Sequence, residues 1–167
     1  MELLIDYIGI YAPSILFIIS AFLLRNKRIY IIFLLIGTII TNISNIIFKL
    51  LIQSPRPLKN VKALEIAISN GQYISYHKYG MPSGHAQNCG FILGFVSLIL
   101  KDILIIGPFL IISLLSLIQR VKYNHHTILQ VIVGFIIGLL SSYGIYIIAN
   151  KYIIGHLHPK PDDNAPS

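Results

Sequence analysis

Tyr79-Gly-Met-Pro-Ser-Gly-His-Ala-Gln87 stands directly in front of an apolar run that reaches Leu100. A lipid-facing helix has little use for a Pro, a Ser, two Gly and a His at its mouth. A helix start does, because its first turn carries backbone N–H groups with no intrahelical partner. Pro82 suits a first turn, where a missing N–H removes nothing. Gly84 lets a ligand approach the backbone closely.

The apolar run is one of five. They extend approximately from Tyr7 to Leu24, Ile29 to Phe48, Pro82 to Leu100, Ile103 to Ile118 and Val131 to Asn150; the fourth is short and holds Pro108. Runs of about 18 residues or more can cross a hydrocarbon core about 30 Å thick. The 167 residues are 55% hydrophobic and only 11% charged, whereas a soluble domain carries about 25% charged residues. These features predict an all-α polytopic integral membrane protein, a bundle of about five transmembrane helices forming one domain over residues 1–155. The polar, Pro-rich segment from His156 to Ser167 reads as a disordered tail without a retrieval or lipidation signal. Acidic residues precede the first run and no small-residue cleavage site follows it, so it reads as a retained helix and not a signal peptide.

The single cysteine, Cys89, excludes an intramolecular disulfide framework and a Cys-based zinc site. The net charge of +7 does not point to nucleic acid. Its basic residues are scattered among short loops, with no stripe interleaved with aromatics. Most read as interfacial anchors at helix ends. Lys49, Arg56 and Arg120 are the exceptions. Threading five helices alternately through a bilayer puts the Lys49–Met81 loop and the Gln119–Gln130 connection on the face that bears the N-terminus. Nearly every chemically capable polar group then lies at helix ends on one membrane face.

Three groups of residues follow one another there: Lys49-x6-Arg56-Pro57, Pro82-Ser-Gly-His85 and Arg120-x5-His126. Together they resemble the three-part signature of the type-2 phosphatidic acid phosphatase superfamily, over about half the chain. The family's third part usually reads Ser-Arg-x5-His-x3-Asp; here Gln119 stands at the Ser position and Gln130 at the Asp position. His126-Thr-Ile-Leu-Gln-Val131 and the Tyr-Gly-Met-Pro-Ser stretch are similar to the dolichyl diphosphatase branch. The resemblance implies that His126 is the nucleophile, forming a phosphohistidine that water hydrolyses, and that His85 protonates the leaving oxygen.

The chemistry fits these residue types. A phosphoryl group in transfer carries negative charge on its equatorial oxygens, so catalysis needs placement and positive charge. Arg56 and Arg120 offer planar forks and Lys49 a point charge. Ser83 and Gly84 supply a hydroxyl and a helix N-terminus to the phosphate. Imidazole titrates near neutral pH and serves as nucleophile, acid or base. Gln130 lies one turn beyond His126 on the same helix face, where its carbonyl can accept the ring's second proton and aim the ring without adding charge.

The remaining residues carry less. His125 is out of register, and His77, His156 and His158 are loop or tail residues. Cys89 and Asn88 read as packing residues, and Gly134 with Gly138 as a small-xxx-small contact. No His pair has a carboxylate at metal-binding spacing, so neither a metal nor another cofactor is expected.

A site at helix ends suits a lipid diphosphate or lipid phosphate whose tail stays in the bilayer. Setting Lys49, Arg56 and Arg120 aside leaves four Lys/Arg on the site's face (Lys59, Lys62, Lys78, Lys122) against six on the other. That bias places the site in a lumen or periplasm, and the resemblance implies the lumen of the endoplasmic reticulum. Two alternatives stay open: a broader phosphatase acting on phosphatidate-like monoesters, and an inactive membrane protein that binds lipid phosphate. The sequence is silent on oligomeric state.

Overall fold

The computed structural model describes residues 2–57, 65–66, 68–71 and 75–157, with backbone alone for 2–5, 75 and 155–157. Its five long helices are α1 (Glu2–Leu23), α2 (Arg28–Ile52), α3 (Gly84–Leu100), α4 (Ile103–Lys122) and α5 (Ile128–Leu157). A 3-10 turn, Ser75–Lys78, and an antiparallel bridge between Pro55 and Tyr79 lie in the long connection after α2.

The expected five-helix membrane bundle is the observed one. Four of the helices are long and apolar enough to cross a bilayer. The fifth, α3, has 17 residues, about 25 Å of helix at 1.5 Å per residue, and stands at the centre, packed against all the others. Its buried positions, among them Gln87, Phe91, Ile92 and Phe95, point in every direction, as a wholly enclosed helix requires. The outer helices turn Ile18, Leu51, Leu140 and similar side chains outward, where lipid and not water is the solvent.

Several boundaries differ from the sequence reading. α2 runs on from Phe48 to Ile52, α4 from Ile118 to Lys122, and α5 begins at Ile128 and continues past Asn150 to Leu157. Backbone groups near hydrocarbon must be satisfied within the segment, so helices persist into the interface beyond their last apolar residue. His156 and Leu157 are therefore helical and not the start of a tail. Residues 158–167, with His158, lie outside the described residues, as do Lys59 and Lys62. Pro108 is accommodated within α4, whose start is capped by the Asp102 carboxylate accepting from Leu104 N–H at 2.9 Å.

α3 and α5 approach to backbone contact. A Cβ on Gly90 would lie 2.3 Å from the Phe135 carbonyl oxygen, one on Gly134 2.6 Å from that of Ser83, and one on Gly138 2.1 Å from that of Gln87. Only hydrogen fits at these three positions. Helices in lipid associate through such packing because burying apolar surface gains little there. At the opposite end of the bundle the Tyr30 hydroxyl donates to Asn150 Oδ1 at 2.7 Å, joining α2 to α5.

Gly138→Ala is expected to lower the thermal unfolding temperature in detergent, at a cost of about 1–3 kcal/mol for forced overpacking. Gly144→Ala, where a Cβ meets nothing within 4 Å, should leave the temperature unchanged or raise it.

Candidate active site

A cavity of about 680 Å³ opens at the end of the bundle where α3 begins. α2 contributes Asn42, Asn45, Ile46 and Lys49, and α1 contributes Ile10, Pro13 and Ser14. Gly84, His85 and Asn88 come from α3, Arg120 from α4, and Arg56, His77, His125 and His126 from the connections. α1 and α2 do not pack along one another, so the cavity lies in the cleft between them. Six of the eight residues singled out from the sequence line it: Lys49, Arg56, Gly84, His85, Arg120 and His126.

Among the described residues, no carboxylate lines the cavity. Lys49 is nonetheless buried to 5% exposure, and Arg120 Nε is enclosed without a hydrogen-bond partner among the described residues. Buried cations of this kind are costly unless an anion joins them. Arg56 is held by backbone: its Nε donates to the His77 carbonyl at 2.7 Å and an Nη to the His125 carbonyl at 3.2 Å. The fork is thus aimed before any ligand arrives.

His126, 4% exposed, donates from Nδ1 to the Gly80 carbonyl oxygen at 2.8 Å. A carbonyl only accepts, so the ring proton sits on Nδ1 and Nε2 keeps its lone pair. Burial, then the positive charges of Arg56 and Lys49, push the ring's pKa down from 6.5 to about 3, while the Gly80 bond opposes the shift. The neutral, nucleophilic form is therefore the resting one. His85 is tied differently: its Nε2 meets the Ile10 carbonyl of α1 at 3.1 Å.

Ser83 and Gln130 stand behind the cavity, not in its wall. Ser83 is fully buried, its N–H donates to the Gln130 carbonyl at 3.0 Å, and its hydroxyl has no partner among the described residues. The backbone N–H groups left for a ligand at this helix start are those of Gly84, His85 and Ala86.

The expected contact between Gln130 and the His126 ring is not made. Gln130 Oε1 accepts from Thr127 N–H at 3.1 Å, and its backbone N–H donates to Thr127 Oγ1 at 3.3 Å. Its Nε2 donates to the Pro55 carbonyl at 2.8 Å and to Ser54 Oγ at 3.2 Å. The physical reason is local. Thr127-Ile-Leu-Gln130 forms a reciprocal capping box at the start of α5, which turns the amide back to the helix mouth. Gly80 takes the ring proton instead.

Other residues went unread in the sequence. Asn42, Asn45 and Lys49 recur at i, i+3 and i+7 on one face of α2, and Gly84, His85 and Asn88 share a face of α3. Asn88 is thus a cavity residue and not a packing one; its Nδ2 donates to Asn42 Oδ1 at 2.9 Å. His77 and His125, set aside as bystanders, line the cavity and present the carbonyls that hold Arg56. Cys89 is fully buried, in keeping with a packing role.

A polytopic helical bundle with a cationic, histidine-bearing cavity at one end defines a membrane protein with a site suited to an anion. The chain matches the PAP2 superfamily over residues 15–154, and it belongs to that family. It is also 30% identical over 117 residues to a dolichyldiphosphatase of Saccharomyces cerevisiae. That match takes in 64% of this chain and 46% of the relative, so the chain spans about half the relative's length. No solved structure matches the chain.

The pKa of His126 has a direct consequence. Nitrogen-15 spectra of histidine-labelled protein should show its ring neutral at pH 5 with the proton on Nδ1. Protonation near 6.5 would contradict the burial argument. Because the unfolded chain takes up this proton near 6.5 and the folded one near 3, His126 lowers folding stability as pH falls through that window.

Proposed function

We propose that the protein is a membrane lipid phosphatase that hydrolyses a polyprenyl diphosphate of the dolichyl type to the monophosphate, with His126 as nucleophile. The observation that carries this reading is the His126 ring. Its proton is held by Gly80, which leaves the lone pair on Nε2, and the residue lines a cavity with three cations and, among the described residues, no carboxylate.

In this reading Lys49, Arg56 and Arg120 draw charge off the terminal phosphate, and the N–H groups at the start of α3 complete the cradle. Nε2 attacks the terminal phosphorus. The bond from phosphorus to the bridging oxygen breaks, its electron pair stays with the lipid monophosphate, and phosphohistidine forms. The Gly80 carbonyl stabilises the positive ring through Nδ1–H without a full counter-charge. Water then attacks the phosphohistidine, the N–P bond breaks, and orthophosphate leaves with Nε2 restored. His85 donates a proton to the leaving oxygen in the first step and accepts one from water in the second. To do so it must carry a proton on Nδ1 or release Ile10. A lipid monophosphate is a better leaving group than an alkoxide, so a diphosphate asks less of this acid.

A lipid substrate is supported by the cleft between α1 and α2, whose walls add Ile10, Pro13 and Ile46 to the polar site. The diphosphate is supported by the Gln130-Val131 sequence and by the yeast relative. A site facing the lumen of the endoplasmic reticulum, and hydrolysis without a metal, belong to the same reading.

Detergent-purified protein should release phosphate from dolichyl diphosphate in preference to phosphatidic acid, with EDTA present. His126→Ala should lower turnover by about three orders of magnitude or more, as loss of a nucleophile does elsewhere. Preference for phosphatidic acid would favour the monoester reading. No release from either lipid by folded protein would leave a binding role.

A further inference from the structure

We infer that Gln130 is a positioning residue whose amide sets the distance between Arg56 and His126, by clamping the Ser54–Pro55 and Tyr79–Gly80 segments onto the start of α5. The inference rests on the proposed phosphatase reading and deepens it.

Residue 130 touches all three parts of the site. Its Oε1 closes the capping box with Thr127, directly after His126. Its Nε2 reaches across to the Pro55 carbonyl and Ser54 Oγ, directly before Arg56. Its backbone carbonyl accepts from Ser83 N–H at the start of α3. The two clamped segments are also joined to each other, by the Pro55–Tyr79 bridge and by Gly80 N–H donating to the Ser54 carbonyl at 2.7 Å. Gly80 lies flat on the amide: a Cβ there would stand 2.5 Å from Oε1 and 2.6 Å from Nε2. From this platform Gly80 presents its carbonyl to the nucleophile, and Arg56 leaves toward the cavity.

The chemistry needs an amide. One oxygen must accept from Thr127 N–H while one nitrogen donates to the Pro55 carbonyl, which cannot donate in return. A carboxylate satisfies the first contact and sets negative charge against Pro55. A protonated carboxyl of the same length satisfies both. Gln130→Glu therefore keeps the capping box and makes the Pro55 contact depend on pH.

The test compares kcat/KM for dolichyl diphosphate between pH 5 and 9 in wild type, Gln130→Glu and Gln130→Ala. Each value is taken as a ratio to wild type. His126, Lys49, Arg56, Tyr79, His85 and Arg120 on the surrounding elements are common to all three proteins, and the nitrogen-15 shifts of His126 recorded on Gln130→Glu separate any change in that ring's own protonation from the Pro55 contact. Gln130→Glu should be low by about tenfold to a hundredfold at the alkaline end, the cost of a buried acceptor left without its donor. It should recover toward wild type at the acid end. Gln130→Ala should stay low throughout. A Gln130→Glu ratio that does not change with pH overturns the inference, as does Gln130→Ala with wild-type kcat/KM.

Protection against thermal unfolding by inorganic pyrophosphate, measured on the same proteins, separates this inference from the function it rests on. If wild type hydrolyses nothing but is protected, and Gln130→Glu is protected only at acid pH, the clamp stands and the phosphatase reading falls. If Gln130→Glu fails to fold, Gly80→Ala and Ser54→Ala carry the test. The first should lose activity as Gln130→Ala does, and the second, which keeps the Pro55 bond, should lose less. Wild-type kcat/KM in Gly80→Ala overturns the clamp.

Discussion

The backbone contact between α3 and α5 is the constraint on which the remaining geometry depends. Gly134 faces the carbonyl of Ser83, one residue before α3 begins, and Gly138 faces that of Gln87 one turn later. These contacts hold the beginnings of the two helices together. His85 stands just inside one of them and His126 just outside the other, so their separation is set by helix packing and not by a flexible loop. Lipid supplies little hydrophobic force to correct a loose fit, and small residues at the interface do that work by admitting close dispersion contact.

Electrostatics pull the other way. Three cations and several imidazoles share one cavity that has no carboxylate among the described residues, and Lys49 is almost wholly enclosed. Mutual repulsion and lost hydration both oppose this arrangement. The bundle tolerates it because the cationic residues are placed by contacts that would exist anyway: Lys49 and Arg120 by their helices, Arg56 by backbone carbonyls. An anion entering the cavity would relieve repulsion and desolvation together. That makes an anion a structural partner of the cavity as well as a ligand for it.

The two departures from the family pattern separate cleanly in space. Gln119 sits 4% exposed beneath α1, where a Cβ on Gly9 would lie 2.7 Å from its own Cβ. It belongs to the α1–α4 contact, beside the bond from the Ser116 hydroxyl to the Gly9 carbonyl. Gln130 belongs to the scaffold under the site. Neither amide touches the His126 ring. The orientation that the family's usual carboxylate is expected to provide comes here from a main-chain carbonyl, which fixes the tautomer without adding charge.

The number of helices, their membrane setting and the gathering of Lys49, Arg56, His85, Arg120 and His126 at one end were all legible in the sequence. Apolar run length and alternation through a bilayer are local rules that need no knowledge of packing. The glycine contact was legible too, because only small residues at i and i+4 permit it. Hydrogen-bond partners were not. A Gln one turn after a His shares its helix face, and that proximity pointed to a contact with the ring. The capping box was written in Thr127 and Gln130, but its consequence depended on where Pro55 and Gly80 lay. Those positions follow from chain segments about 50 to 75 residues away in sequence. Periodicity orients a side chain on its own helix. What it bonds to is decided by whichever donor or acceptor the fold brings within about 3 Å, and only the tertiary structure makes that choice.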